Sequence, residues 1–150
     1  IDTYKAETMR QALHAGVDCV NDIWALRQKG AVDAVLENSN CGIVLMHMQR
    51  DPLTMQFNPE YQNVVAEVMQ FLVERTNLLI NKGVDRDRIA LDPGFGFGKS
   101  LEHNLEMLGK FEKLSEFDWH DIYLLEQDTI EYNYDWYFSK KYRDHMEQFQ

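Results

Sequence analysis

An apolar strand that ends in an acid and three alternating glycines is the feature that most constrains the fold of this chain. The run reads Leu91-Asp-Pro-Gly-Phe-Gly-Phe-Gly-Lys-Ser100. Glycine at every second position lets the backbone adopt positive φ or approach another group closely, and Ser100 can cap a following helix. The pattern is typical of a loop between a parallel strand and a helix, which is a common place for a ligand.

The spacing of these glycines excludes the two common nucleotide-binding motifs. A P-loop has four residues between its first glycine and the Gly-Lys-Ser/Thr, whereas Gly94 and Gly98 enclose three. A dinucleotide fingerprint has two residues between its second and third glycines, and Gly96 and Gly98 enclose one. An ordinary glycine-rich turn is the alternative, but Asp92 at the strand end favours a polar ligand that donates hydrogen bonds.

A short apolar strand, a polar residue and a helix follow one another several times along the chain. The predicted strands cover residues 17–20, 42–46 and 89–91, with Ile1-Asp2 as the tail of an earlier strand. The predicted helices cover about residues 5–15, 31–38 and 101–114, with a longer helix opened by Asn58-Pro59 and closed by Gly83. Strands that alternate with helices predict a parallel sheet.

Polar side chains stand at the ends of these predicted strands, namely Asp2, Asn21, His47 after Met46, and Asp92. The carboxyl ends of parallel strands meet at one edge of the sheet, where ligands bind. Two carboxylates and an amide can bracket a flat heterocycle such as a purine or a pterin, because a carboxylate accepts two parallel N–H bonds. Taken singly, Asp2 or Asn21 could cap a helix, and His47 could be a semi-buried histidine satisfied by its neighbours.

Charge and composition restrict the kinds of partner and the cellular location expected for this chain. The formal net charge of -10 over 150 residues argues against a nucleic-acid partner. The polar start and the lack of a long apolar run predict a cytoplasmic protein without a membrane partner. Cys19 and Cys41 lie beside apolar segments without CxxC spacing, which predicts buried, reduced thiols and no metal-ligand set.

Five blocks of the sequence carry a family resemblance. They are Ile1-Asp-Thr-Tyr-Lys-Ala-Glu7, Val20-Asn-Asp-Ile-Trp24, Leu45-Met-His-Met-Gln49, Leu91-Asp-Pro-Gly-Phe-Gly-Phe-Gly-Lys99 and His103-Asn-Leu105. In order and spacing they resemble the dihydropteroate synthases of folate biosynthesis, over about residues 1–110. The resemblance implies a transferase with a TIM-type (β/α)8 barrel. Such an enzyme joins p-aminobenzoate to 6-hydroxymethyl-7,8-dihydropterin diphosphate and releases diphosphate with the help of Mg²⁺.

The resemblance also implies roles for individual residues on the pterin side. Asp2, Asn21 and Asp92 would hydrogen-bond the pterin, and Ile23 and Met46 would pack around its ring. Asp2 and Asp92 would be the catalytic residues. Asp92 would grip the ring while the exocyclic C–O bond breaks, and Asp2 would place negative potential near the developing cation.

On the other side of the site, the resemblance places Phe97 at the border of the p-aminobenzoate pocket, with Lys99 close by. The chain departs from the family pattern in three respects. The segment that carries the Mg²⁺-binding Asn would precede Ile1. The Ser-Arg-Lys-Ser segment and the later Arg-x-His diphosphate site do not occur after about Phe111. Finally, Arg50 stands where the family usually has Gly.

The predicted fold class is therefore α/β: a partial (β/α)8 TIM-type barrel of about four parallel βα units over residues 1–114. A complete barrel needs about 250 residues. Open sheet edges and an exposed apolar face favour association, including a homo-oligomer. Residues 115–150 form a divergent, mainly helical segment rich in aromatic and acidic side chains. One helical face there is predicted to pack against a core or, alternatively, to bind a partner, and residues 121–125 could add a strand.

Two other functions are kept as alternatives. The chain could be a pterin-binding or protein-interaction fragment without turnover, because the diphosphate and Mg²⁺ segments are missing. It could also be the pterin-binding domain of a methyltetrahydrofolate methyltransferase, although the Phe95-Gly-Phe-Gly-Lys99 run favours the synthase.

Overall fold

A computed structural model describes residues 1–111 of this chain as alternating helices and strands. The elements are α1 (Ala6–His14), β1 (Cys19–Asp22), α2 (Ala31–Leu36), β2 (Gly42–Met46), α3 (Val64–Asn81), a 3-10 turn (Arg86–Arg88), β3 (Ile89–Asp92) and α4 (Leu101–Gly109). The predictions for residues 115–150, including the strand at 121–125 and the aromatic helical face, lie outside the described residues. The end predicted for the last barrel helix, residue 114, also lies outside them.

The strands form one parallel sheet in the order β1-β2-β3. Asp2 adds a parallel bridge to Asn21 on the outer edge of β1. This bridge corresponds to the strand tail predicted at Ile1-Asp2, so four βα units are present in outline. The prediction of an α/β fold with parallel strands is confirmed.

The two faces of the sheet differ in burial. Toward the helices, the strand side chains are buried against α1, α2, α3 and α4; this core includes Met9, Val20, Val35, Ile43, Leu45, Val68, Leu72, Leu91 and Met107. Of the alternate strand residues, Met46 is buried and the others are only partly buried, namely Cys19, Asn21, Val44, Ala90 and Asp92. Because successive side chains of a strand point to opposite faces, the second set lies on a common open face. Cys19 is on this face, so the prediction that both cysteines are buried holds for Cys41 alone.

Several element boundaries differ from the prediction by one or two residues, and the start of the long helix differs by more. The long helix begins at Val64 rather than near Asn58, and Asn63 caps it by accepting a hydrogen bond from the Ala66 N–H at 3.1 Å. Asn58 lies in the preceding loop with a φ of 48°. Asn before Pro is a signal shared by turns and helix starts, which explains the error. Strand β1 covers residues 19–22 rather than 17–20, because the Val17 N–H still bonds to Ala12 at the end of α1.

The start of α4 was predicted correctly. The Ser100 hydroxyl accepts a hydrogen bond from the His103 N–H at 3.2 Å, and His103 Nδ1 accepts one from the Ser100 N–H at 3.1 Å. This reciprocal pair is a capping box with histidine at the third helical position. Within residues 1–111, no helix combines the length and apolar character needed to cross a membrane.

Candidate active site

The strand register brings the predicted site residues onto the open face of the sheet. Asp2 pairs with Asn21, and Asn21 is in register with Val44 of β2. Met46 pairs with Asp92 two residues further along β2 and β3. Side chains two residues apart share a face and are separated by about 6.6 Å along the strand. Asp2 and Asn21 therefore form one level of this face, and Met46 and Asp92 form the next level toward the carboxyl ends.

Asn21 has one satisfied and one unsatisfied side-chain atom. Its Nδ2 donates to Oδ2 of the exposed Asp2 at 3.2 Å. Its Oδ1 is buried, and no donor among residues 1–111 reaches it. A buried acceptor without a partner costs about 1–3 kcal/mol, so such atoms in native proteins call for an explanation. A ligand N–H directed at this oxygen would satisfy it.

Asp92 is held in place by the loop that it precedes. Its Oδ1 accepts a hydrogen bond from the Gly94 N–H at 2.7 Å. The carboxylate remains partly exposed on the open face. Its orientation is therefore set by backbone before any ligand arrives. Ile23 and Phe97 are also partly buried, whereas Met46 is only 3% exposed.

The three loop glycines have positive φ angles, as the sequence predicted: 70° at Gly94, 80° at Gly96 and 62° at Gly98. Two of them are also packed tightly. A Cβ on Gly94 would overlap the carbonyl oxygen of His47, and one on Gly98 would lie 3.1 Å from the backbone nitrogen of Gln49. A Cβ on Gly96 would meet nothing within 4 Å. The close approach is thus to the loop after β2, and only Gly96 is open to its surroundings.

The loop after β3, residues 93–100, is called the glycine loop, and side chains from outside it bind its backbone. The Tyr61 hydroxyl donates to the Gly98 carbonyl at 2.7 Å, and Gln56 Nε2 donates to the Gly96 carbonyl at 2.7 Å. The Gly96 N–H donates to Oδ1 of Asn104 at 2.8 Å. The loop is therefore fixed by residues of the β2–α3 connection and of α4.

Lys99 is buried beneath the loop with only 5% of its surface exposed. Its ammonium donates to the carbonyl oxygens of Gly94 at 2.9 Å and Phe97 at 3.0 Å, and it lies 3.0 Å from Nδ1 of His47. Burial lowers the pKa of Lys99 to about 8, an effect that Asp92 opposes. Burial, the Lys99 charge and Arg27 together lower the pKa of His47 to about 3, so the imidazole is neutral and accepts from the ammonium.

Sequence reasoning missed the group that shapes the loop after β1. Asp22 is fully buried, and its carboxylate accepts the N–H groups of Trp24 at 2.7 Å and Leu26 at 2.8 Å. Burial raises the pKa of Asp22, and these backbone hydrogen bonds act against the rise. Arg75 of α3 donates to the carbonyls of Ala25 and Leu26, which both have left-handed backbones. Alternation along the strand was the available signal, because Asn21 on the open face requires Asp22 to face the helices.

Residues 1–111 do not supply a full set of protein ligands for a magnesium ion. No three His, Cys, Asp or Glu side chains within residues 1–111 are grouped so that they could hold a metal ion. Carboxylates suited to Mg²⁺ are present, but Asp2 bonds to Asn21 and Asp92 to Gly94. No step of the chemistry is assigned to a metal held by these residues.

Comparison with known proteins identifies relatives of one kind. The family described as "Pterin binding enzyme" matches residues 1–124. The curated dihydropteroate synthase of Haemophilus influenzae is 42% identical over 117 residues, which make up 78% of this chain and 41% of that protein. The chain thus spans about two fifths of the length of the curated relatives that it matches.

Two solved structures show the corresponding fold. Dihydropteroate synthase of Burkholderia cenocepacia in complex with 7,8-dihydropteroate is 45% identical, has a TM-score of 0.72, and is matched over 80% of this chain and 43% of that one. The Xanthomonas albilineans enzyme with 4-aminobenzoic acid is 47% identical, has a TM-score of 0.69, and is matched over 77% and 40%. With these neighbours, the observed βα units are part of a TIM-type barrel, as predicted.

Proposed function

This chain belongs to the pterin-binding enzyme family, and we propose that it forms the pterin-binding part of a dihydropteroate synthase active site. The whole enzyme would join p-aminobenzoate to 6-hydroxymethyl-7,8-dihydropterin diphosphate and release diphosphate. The observation that carries the proposal is the open sheet face, which Asp2, Asn21 and Asp92 share and where the buried Oδ1 of Asn21 has no protein partner among residues 1–111. The ligands in the related crystal structures support the same chemistry.

In this proposal, the two levels of the open face read different parts of the pterin. The Asp92 carboxylate accepts one hydrogen bond from the exocyclic amino group and one from the adjacent ring N–H. These two parallel hydrogen bonds favour a flat ligand with two neighbouring donors. Asn21 Oδ1 accepts a further ring N–H, and Met46 and Ile23 pack against the ring. These contacts fix the plane of the heterocycle above the strands.

The bond changes follow from that placement. The exocyclic C–O bond breaks and its electron pair leaves with diphosphate, so positive charge develops on the carbon and is shared with the electron-rich ring. The amine nitrogen of p-aminobenzoate then forms the new C–N bond and loses a proton. Asp2 lies at the lower level of the face beside Asn21 and contributes negative potential toward this cation. The Phe97 ring borders the arylamine.

Four further parts of the proposal stay predictions. Mg²⁺ would be held by a segment outside residues 1–111, and a cytoplasmic location remains a prediction. The division into a barrel part at residues 1–114 and a divergent part at residues 115–150 also remains a prediction. Association into a homo-oligomer stays a prediction from the open face and sheet edges.

One alternative has an observation in its favour. The 150 residues match 41% of the length of the Haemophilus influenzae enzyme, and for these residues taken alone the alternative is a part that binds a pterin without catalysing the condensation. We expect the 150-residue chain to bind pterin weakly and to turn over negligibly by itself. Incorporation of labelled p-aminobenzoate by the purified chain would refute this alternative.

Titration calorimetry with a pterin tests the site assignment. Replacing Asp92 by Asn removes the charge of the proposed bidentate acceptor, and we expect the pterin affinity to fall by about tenfold or more. The matched control is Asp18→Asn, an exposed aspartate that precedes β1 at the opposite end of the sheet. A folded wild-type chain that binds no pterin, or an Asp92→Asn variant that binds as tightly as the control, would contradict the assignment.

A further inference from the structure

The Lys99 ammonium lies among four protein acceptors. These are the carbonyl oxygens of Gly94 at 2.9 Å, Phe97 at 3.0 Å and His47 at 3.3 Å, and Nδ1 of His47 at 3.0 Å. An ammonium group has three N–H donors. Its hydrogen-bonding capacity is therefore used within the protein. A direct bond from Lys99 to a substrate would require breaking one of these contacts.

The four acceptors belong to two different loops. His47 follows β2, whereas Gly94 and Phe97 lie in the glycine loop after β3. Gly94 also donates its N–H to Asp92, so both polar groups of this residue are engaged at once. One cation thus connects the backbone that orients the Asp92 carboxylate with the backbone that carries the Phe97 ring.

Few charged groups face this cation. Asp92 at the end of β3 raises the pKa of Lys99, and the charges of Lys99 and Arg27 both lower the pKa of the neighbouring His47. Tyr61 reaches the same loop through the Gly98 carbonyl but stays uncharged, because burial raises its pKa to about 12. Only 5% of the Lys99 surface is exposed to solvent. The carbonyl dipoles and the Asp92 carboxylate therefore stabilise its charge in place of water.

We propose that Lys99 is a positioning residue: by binding the Gly94, Phe97 and His47 carbonyls, it sets the relative placement of Asp92 and Phe97. Asp92 serves the pterin and Phe97 the arylamine, so Lys99 governs the alignment of the two substrates without touching either one. The inference rests on the proposed function for its consequence on binding. It refines the expectation that Lys99 lies beside the p-aminobenzoate pocket.

The pKa of about 8 gives the arrangement a measurable pH dependence. Above that pH the side chain is an amine with two N–H donors, which cannot serve all of its acceptors, and the loop loosens. Global stability changes in the opposite direction. The unfolded chain keeps its proton up to the ordinary lysine pKa of 10.5, so this group makes folding more favourable as pH rises from 8 to 10.5. Loop loosening is thereby separable from unfolding.

Carbonyl-¹³C NMR of the ligand-free 150-residue chain tests the positioning role directly. In the wild type, we expect the Gly94 and Phe97 carbonyl resonances to titrate together with a midpoint near pH 8. In Lys99→Met, both resonances should be displaced at neutral pH and should show no such midpoint. The control Lys29→Met, which removes an exposed lysine from the β1–α2 loop, should behave as the wild type.

Pterin affinity provides the second readout. We expect Lys99→Met to weaken pterin binding by about tenfold or more, and wild-type binding to weaken above pH 8 with the midpoint seen in the carbonyl resonances. If Lys99→Met loses affinity while its ligand-free Gly94 and Phe97 resonances match the wild type, Lys99 touches the ligand and the inference is wrong.

The two proposals fail in different ways. A wild-type chain that binds no pterin contradicts the proposed function, while the carbonyl titration in the absence of ligand still decides whether Lys99 holds the loop. If Lys99→Met does not fold, the wild-type titration alone is decisive. Gly94 and Phe97 carbonyls that remain unchanged between pH 7 and about pH 11.5 would then overturn the positioning role, because this range brackets both a pKa of about 8 and the ordinary lysine value of 10.5.

Discussion

The loops after β2 and β3 lie side by side but obtain their shapes in different ways. The loop after β3, residues 93–100, is short, and side chains from other segments bind its carbonyls. The loop after β2, residues 47–63, is long and exposes Leu53 and Phe57. This loop is held in shape mainly by hydrogen bonds between its own residues, such as the one that the Arg50 guanidinium donates to the Phe57 carbonyl.

The difference shows which loop depends on the other. Gln56, Tyr61 and His47 all belong to the β2 loop, and each contacts the glycine loop or its lysine. The candidate site residues Asp92, at the end of β3, and Phe97, in the short loop, are therefore positioned with the help of the long loop. Substitutions at the points of contact should affect the site more than substitutions within the exposed part of the long loop.

The largest effect is expected where the two loops touch through backbone. Gly94→Ala places a methyl group against the His47 carbonyl at a φ of 70°. Overpacking and left-handed strain together should lower the free energy of unfolding by about 3 kcal/mol or more. Chemical denaturation of the full chain provides the measurement.

Gly96→Ala is the matched control for that experiment. Its φ of 80° carries the same kind of strain, but the space around it is open. A loss of only about 1 kcal/mol is expected. Equal losses at both positions would mean that the backbone contact between the loops does not constrain Gly94.

A smaller effect is expected from a single side-chain contact between the loops. Tyr61→Phe removes the hydroxyl that donates to Gly98 and leaves the aromatic contacts with His47 and His103. Loss of one hydrogen bond to a partly buried carbonyl should cost about 1 kcal/mol. Tyr4→Phe provides the control, since that ring packs edge-on against Trp24. If the two variants unfold at the same denaturant concentration, the Tyr61 hydroxyl does not stabilise the contact between the two loops.

The smallest change is expected within the long loop itself. Arg50 has a φ of 59° and donates to the Phe57 and Asn58 carbonyls. Arg50→Gly relieves the left-handed strain but loses these bonds, so the free energy of unfolding should change by less than about 1 kcal/mol. Arg50→Ala keeps the strain and loses the bonds, and it should be the less stable of the two. The reverse order would show that strain at residue 50 is negligible.

Local signals predicted much of the glycine loop. Positive φ at the alternate glycines, the Ser100 cap and the bounds of β2 all follow from residues close in sequence. The convergence of Asp2, Asn21, Met46 and Asp92 on one face also followed, because parallel strands have a fixed period and direction.

Long-range contacts account for what the sequence did not reveal. The glycines at 94 and 98 were interpreted as room for a ligand, yet their closest neighbours are His47 and Gln49, nearly fifty residues earlier. Lys99 gave no sign of burial, since lysine is almost always exposed and two of its four acceptors, the Nδ1 and the carbonyl oxygen of His47, come from another loop. The role of Asp22 was missed, because it depends on the turn that its carboxylate caps and on Arg75 of α3.

The tight clearance at Gly94 and Gly98 bears on how far this sequence motif can be used to detect activity. The His47 backbone limits position 94 to glycine, and a positive φ with little space favours glycine at position 98, so selection for folding alone would preserve both. A descendant that had lost every catalytic side chain would still keep the glycine spacing for as long as it kept the barrel. Among newly sequenced chains, the glycines therefore diagnose ancestry, whereas Asp2, Asn21 and Asp92 are the positions whose identity should be read before a reaction is assigned.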